Sequence, residues 1–263
     1  VAHDELPPVL EGLDVHPVDD AGVSVFELNA PDKLNAISGA VLDSFMTATT
    51  WVEESDARCV LLRGAGKGFS AGADFASYLD EVDVSRPESA DEFLWRWIAV
   101  SQRLRTLSIP TVAAVHGVAY GGGLNIALSC DLVMVARSAK LCQPYIRIGA
   151  TADVGASWLL PRLVGVAHAR RLILTGEPIS GEEAFAMGLV AYLADDSTLA
   201  TEAAGLAARV AALDPSAMKM NRELLREDVP SSLEEAYQRE THTNHVRVAS
   251  PAFAESTARF RRG

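Results

Sequence analysis

Apolar positions along the chain fall into short blocks, some spaced for strands and others for helices. Residues 13–29, LDVHPVDDAGVSVFELN, predict two short strands around an Asp-Ala-Gly turn. SGAVLDSFMTATTWVEES then switches to helical spacing, with Val41, Leu42, Phe45 and Met46 on one face. CVLLRGAG predicts a buried strand running into a Gly-rich loop, and the polar, acidic stretch over 76–92 predicts an exposed loop or lid. EFLWRWIAVSQRLRTL is amphipathic, with a stripe of Phe93, Leu94, Trp97, Ile98, Leu104 and Leu107. Pro110 stops that helix, and TVAAVHG follows as a buried strand.

A second Gly-rich loop opens YGGGLNIALSCD, residues 120–131, and leads into a helix; DLVMVA is the next strand. SGEE at 180–183 is a capping box, Ser180 with Glu183, opening a helix that Gly188 ends. From about residue 196 the chain is Ala-rich and helical, without strand signals. Repeated strand–Gly loop–helix units predict an α/β core over 1–195, followed by a helical subdomain over 196–263.

Composition narrows the function classes. A chain of 263 residues can bury a substantial core. Its net charge of −12 and pI near 4.9 argue against general nucleic-acid binding, though local Arg or Lys residues can still hold an anionic small ligand. Cys59, Cys130 and Cys142 are scattered without metal-like spacing and read as reduced core thiols. VAHDELPPVLEG lacks a signal-peptide pattern, and no window approaches ~18 uninterrupted apolar residues. A cytoplasmic protein without membrane, metal or nucleic-acid partners is expected.

The two Gly-rich loops, GAGKGFSAGAD at 64–74 and the one opening at Tyr120, each follow a buried strand. Neither ends in the Gly-Lys-Ser/Thr of a Walker P-loop, and GAGKGF is a weak match to a dinucleotide fingerprint. Both loops suit backbone N–H donation: glycines let an acyl group approach, and the first N–H groups of a helix lack internal partners. One donor from each loop would make an oxyanion hole. The competing reading is that the glycines only permit tight turns or close helix packing.

GFSAGAD, AVHGVAYGGGLNIALSCD and LILTGEPISGEEAFAMGLV resemble the signature segments of the enoyl-CoA hydratase/isomerase (crotonase) family. APDKLNAIS at 30–38 resembles that family's CoA-adenine loop, and SPAFAESTARFRRG its C-terminal end. The resemblance implies a crotonase-like spiral of ββα units followed by a C-terminal helical trimerisation subdomain, as a homotrimer or a dimer of trimers. It also implies an acyl-CoA thioester substrate, an enolate intermediate, and no cofactor beyond the coenzyme A of the substrate. By the same resemblance the oxyanion donors are the N–H groups of Ala73 and Gly122, flanked by Ala71, Gly72, Asp74 and Gly121. Lys33, Leu34 and Ala36 lie near the adenine-ribose end of CoA, and Arg259 or Arg261 reaches a phosphate; the shape of the acyl pocket depends on the lid over 76–92 and on Trp158, for which the resemblance supplies no rule.

The acid–base positions depart from the family's two-glutamate pattern. Its first glutamate follows the glycine triplet by two positions, where this chain has Asn125; its second follows the Gln-Pro dipeptide, where this chain has Tyr145. Asn125 can orient water but cannot take its proton near neutral pH, and Tyr145 is a poor base unless strongly perturbed. Asp153, in ADVGASWLL, remains. Dienoyl-CoA isomerases carry a similar ADVG and use that aspartate in acid–base chemistry; in 4-chlorobenzoyl-CoA dehalogenase the matching aspartate is a nucleophile. Asp153 equally suits a helix N-cap.

The remaining polar and aromatic candidates have structural readings. His116 reads as a packed histidine, and His242 and His245 fall one residue short of a helical i, i+4 metal pair. Asp131 and Asp74 read as turn or loop anchors, and Trp95 with Trp97 as core and lid packing. Three functions follow: an enoyl-CoA hydratase or isomerase using Asp153 in acid–base chemistry, a CoA-thioester hydrolase or dehalogenase using it as nucleophile, or a non-catalytic acyl-CoA-binding homologue.

Overall fold

The structure, a computed structural model, describes residues 10–83, 85–225, 232–248 and 251–257. The main sheet is built from β1 (Leu13–Val15), β2 (Val23–Leu28), β3 (Cys59–Gly64), β4 (Thr111–Val115), β6 (Leu132–Ala136) and β9 (Tyr192–Ala194), adjacent in that order. The β1–β2 pair is antiparallel, as its tight turn requires, and all later pairs are parallel. A smaller sheet joins β5 (Val118–Tyr120), β7 (Lys140–Cys142) and β8 (Ile179–Ser180).

Helices connect these strands: α1 (Gly39–Glu54), α2 (Phe75–Glu81), α3 (Pro87–Thr106), α4 (Gly122–Ala127), α5 (Ala156–Thr175), α6 (Gly181–Ala186) and α7 (Leu199–Ala211). After them come α8 (Pro215–Leu224), α9 (Leu233–Val248) and α10 (Pro251–Thr257). Twice the chain places one strand in each sheet and then a helix, β4–β5–α4 and β6–β7–α5, which are successive ββα turns of a spiral. Parallel strands are covered on both faces, so TVAAV in β4 is buried at every position.

Local chemistry sets the boundaries. The Ser38 hydroxyl accepts from the Val41 N–H at the start of α1, and Ser180 and Glu183 close the expected capping box on α6. On α1, Val41, Leu42 and Phe45 enter the core while Met46 is left exposed. The stretch over 76–92 is mostly helical rather than a loop. The Asp74 carboxylate accepts from the Ala76 and Ser77 N–H groups to start α2, and Pro87 occupies the first turn of α3. None of α2 is buried, so it has no apolar stripe for a sequence pattern to reveal.

The boundary expected after residue 195 falls just before α7, whose Leu199, Ala203, Leu206 and Ala207 belong to the core beside β3 and β4. Helix α9 packs on α8 and α10. Cys59, Cys130 and Cys142 are buried free thiols, and burial pushes those of Cys59 and Cys130 up to about 12. Among the described residues no group of His, Cys, Asp and Glu could hold a metal ion, and no helix is long and apolar enough to cross a membrane.

Candidate active site

Three loops are stitched side by side by backbone hydrogen bonds. The Ala71 N–H donates to the Leu34 carbonyl, Ile37 N–H to Gly72, and Asp74 N–H to Ile37, joining the 30–38 and 64–74 loops. The Ser70 N–H donates to Val118 and the Tyr120 N–H donates back to Ser70, joining the first glycine loop to β5. In the resulting Ile37–Ala73 bridge, Gly72 and Asp74 supply the contacts, so the Ala73 N–H faces away from the 30–38 loop. The Gly122 N–H opens α4 and has no intrahelical acceptor. Among the described residues neither N–H has a protein partner.

The glycines are required by close approach. A Cβ on Gly72, whose φ is +91°, would lie 2.7 Å from the Tyr120 carbonyl and 3.7 Å from the Gly122 nitrogen. The two candidate donor loops are therefore in direct contact. A Cβ on Gly122 would lie 2.6 Å from the Trp97 indole, and one on Gly123 would lie 2.6 Å from the Ser70 hydroxyl. Trp97 therefore forms a wall beside the Gly122 donor, while Trp95 on the same helix is exposed.

Asn125, fully buried on α4, sits at the centre of a side-chain network. Its Nδ2 donates to the Tyr145 hydroxyl at 3.0 Å and to the Asp153 carbonyl at 3.1 Å; its Oδ1 accepts from Gln143 Nε2 at 2.8 Å. The Tyr145 hydroxyl donates its proton to Asp153 Oδ1 at 2.5 Å. A Cβ on Gly121 would stand 3.7 Å from that hydroxyl, so the network lies against the second glycine loop. Gln143 Oε1 is buried without a hydrogen-bond partner among the described residues.

Burial raises the Asp153 pKa, opposed by the hydrogen bond from Tyr145 and one from its own backbone. Burial, then the Asp153 charge, raises Tyr145 far above the ordinary phenol range, so it stays protonated as a donor. Asp153 does not cap α5 through its carboxylate: Gly155 is the N-cap, with no side-chain cap bond, and the Asp153 backbone carbonyl accepts from Ala156. The following Val154 holds φ at +48°, which costs a β-branched residue strain at this turn.

The predicted site residues thus fall into two groups. Ala71, Gly72, Ala73, Gly121, Gly122, Asn125, Tyr145 and Asp153 come together around the glycine loops. Lys33, Leu34 and Ala36 lie on the loop beside them, where Lys33 Nζ pairs with Asp74 Oδ2 at 2.9 Å. Asp74 is therefore both helix cap and ion-pair partner. Trp158 stands on α5 with the Arg162 guanidinium stacked 3.5 Å from its ring centroid. Arg259 and Arg261 lie outside the described residues. Asp131 anchors Thr111 and Arg222, and His116 bonds the Gly66 carbonyl.

Sequence reasoning missed Asn35 and Gln143. Asn35 is buried at φ +53°, and its amide donates to the Ala65 and Gly68 carbonyls while accepting from the Ala30 N–H. It fixes the 30–38 loop to the first glycine loop; an Asn among loop residues was its one available signal. Gln143 precedes Pro144 in the Gln-Pro dipeptide, but only the fold shows it gripping Asn125.

The fold and this site define an α/β protein of spiral ββα turns, with two touching glycine loops and a Tyr145–Asp153 pair, its carboxylate half-buried, against the second of them. Residues 19–261 match the family model described as Enoyl-CoA hydratase/isomerase, and the chain belongs to that family. It is 34% identical over 242 residues to the probable enoyl-CoA hydratase echA8 of Mycobacterium tuberculosis, covering 92% of each chain. It is 37% identical over 198 residues to the 1,2-epoxyphenylacetyl-CoA isomerase of Escherichia coli, covering 73% of this chain and 74% of that one. The crystal structure of an enoyl-CoA hydratase from Bacillus anthracis superposes with a TM-score of 0.89 at 27% identity, covering 95% of this chain and 96% of that one.

Proposed function

We propose that this chain isomerises an enoyl-CoA by moving its double bond, with Asp153 carrying the proton. The thioester oxygen rests on the N–H groups of Ala73 and Gly122. Asp153 removes a proton from a carbon activated by the thioester, and the C–H electron pair passes into an enolate held by those donors. The same carboxyl returns the proton to another carbon, and the electron pair flows back. Removing one such donor typically costs ~2.7–4 kcal/mol of transition-state stabilisation, and a positioned acid–base group contributes roughly 10²–10⁴-fold.

The observation that carries this reading is the Tyr145–Asp153 hydrogen bond, whose phenol lies against Gly121. It turns the carboxylate to Tyr145, and Gly155 rather than Asp153 is the N-cap of α5. A half-buried carboxyl with a raised pKa is suited to exchanging protons and less suited to nucleophilic attack. One carboxylate suffices for a double-bond shift; hydration would also need a group to activate water, and neither Asn125 nor Tyr145 is a base there. The isomerase name of the Escherichia coli relative supports the same direction.

Lys33, Leu34, Ala36, Ala71, Gly72 and Gly121 would border the coenzyme A portion of the substrate, and no other cofactor is invoked. Tyr237, Val246 and Val248 are exposed on α9, apolar surface that further copies would cover in a homotrimer or a dimer of trimers.

The test follows a panel of enoyl-CoA esters at the conjugated-thioester absorbance band and by deuterium uptake at the α and γ carbons. Wild type should shift the double bond with solvent exchange, and Asp153→Asn should lose roughly 10²–10⁴ of that rate. Full activity in Asp153→Asn, a covalent adduct on Asp153 in single turnover, or binding without any exchange would each defeat the proposal.

A further inference from the structure

A cavity of about 220 Å³ lies between α3 and the start of α5, directly after Asp153. Val154 and Gly155 form its near edge, and Trp158 and Ile98 give it apolar walls. Its other side is polar: Ser101, Gln102 and Arg105 follow one another down α3. A pair of serines links the α3 wall of the cavity to the backbone of α4. Ser129 Oγ donates to the Asn125 carbonyl at 2.7 Å, which uses its single proton, so Ser101 Oγ, 2.7 Å away, donates to Ser129. Gln102 and Arg105 also line a wider cavity of about 790 Å³ beyond, so these two polar side chains stand between the two spaces.

We propose that this pocket receives the far end of the acyl chain and selects one that terminates in a carboxylate, an ω-carboxyacyl thioester. The inference rests on the acyl-CoA reading above and adds a substrate class to it. A cavity of ~150 Å³ takes a benzene ring, so this one takes an acyl tail of about six to eight heavy atoms. A purely aliphatic tail of that length would bring its apolar end against the polar residues Gln102 and Arg105. A terminal carboxylate meets the same groups as an acceptor. A guanidinium carries five N–H donors and can serve more than one acceptor, and its fork matches a carboxylate. Trp158, stacked beneath Arg162, holds the apolar wall along which the methylenes would lie.

The test measures binding of two saturated thioesters of equal carbon number, adipyl-CoA and hexanoyl-CoA, by calorimetry on the full chain. Adipyl-CoA should bind tenfold tighter or better, the scale of one charge-assisted hydrogen bond. Arg105→Met and, separately, Gln102→Leu should each erode that ratio, so the result does not depend on one variant folding. Equal or tighter binding of hexanoyl-CoA, or a ratio unchanged in both variants, overturns the proposal. If hexanoyl-CoA binds and exchanges its α protons without any preference for adipyl-CoA, only the carboxylate assignment falls. If neither thioester binds, the acyl-CoA reading falls with it.

Discussion

Tyr145 and Asp153 are joined by a 2.5 Å hydrogen bond whose proton belongs to the phenol, while Asn125 donates to the same phenol oxygen from its other side. Asp153 is thus held by a neutral donor in a half-buried setting. Burial pushes its pKa up and Tyr145 pulls it down, so the tyrosine tunes how readily the carboxyl sheds its proton.

Tyr145→Phe removes the interaction that lowers the Asp153 pKa and leaves burial unopposed by it. The acid limb of the kcat/KM profile, which reports ionisation of the free enzyme's base, should move to higher pH. Activity on the acid side of the profile should drop and recover as pH rises. The measurement is kcat/KM between pH 5 and 9, and an unmoved acid limb would refute the tuning role.

The same raised pKa makes a stability prediction of the opposite sign. In the unfolded chain Asp153 ionises near ~3.9, while in the fold burial keeps the proton on to higher pH. The folded state therefore binds more protons than the unfolded one above that value, and stability is lost as pH rises through the folded pKa. Asp153→Asn, which retains an oxygen acceptor for Tyr145, should be more stable than wild type at pH 7 while being nearly inactive. Its advantage should disappear below about pH 4, where both states of the wild type are protonated. Thermal unfolding across pH 3.5–8 tests this; equal midpoints at pH 7 would contradict it.

Trp97 sets the tolerance at the other half of the site. The Cβ of Gly122→Ala would stand 2.6 Å from its indole, so either the ring or the donor backbone must shift. Overpacking of this kind typically costs ~1–3 kcal/mol, and a displaced oxyanion donor roughly 10²–10³ in kcat. Adding Trp97→Phe should restore much of the stability, because it removes the ring atoms that clash. A double-mutant cycle in thermal stability and kcat should show coupling, whereas strict additivity would place the strain elsewhere.

These relations explain what the sequence could and could not reveal. The strands VSVFEL and TVAAV and the helices flanking them are legible because burial writes a period into the residues that form them. The strands of the small sheet, only two or three residues long, are too short to show a period, and α2 buries nothing. The two glycine loops are legible through composition, because a Cβ on Gly72 or Gly122 would collide with the neighbouring loop or with Trp97. The pairing of Tyr145 with Asp153, and the grip of Gln143 on Asn125, depends on which side chains the short 3-10 helix Pro144–Ile148, after β7, brings back to α4. The Asp153 carboxylate bonds Tyr145 instead of capping α5, because Gly155, at positive φ, takes the N-cap position itself.

Asn125 supplies the sharpest test of the network, because an aspartate there is nearly isosteric yet reverses a hydrogen-bond role. Asn125 Nδ2 donates to the Asp153 carbonyl and to Tyr145 Oη, whereas its Oδ1 accepts from Gln143. In Asn125→Asp the Gln143 contact survives, but an ionised oxygen would face the Asp153 carbonyl with no proton between them. The introduced carboxyl is fully buried and close to Asp153, and both burial and like charge raise its folded pKa. It therefore holds its proton in the fold and donates in place of the amide, while in the unfolded chain it ionises near ~3.9. The variant's stability deficit should be small below about pH 4 and should grow as pH rises through the folded pKa, toward ~1–3 kcal/mol or more for a buried group left unsatisfied. Urea unfolding of both proteins from pH 4 to 8 measures it. A deficit independent of pH would mean that the amide is not held by the Asp153 carbonyl and Tyr145, and the network at the heart of the site would have to be redrawn.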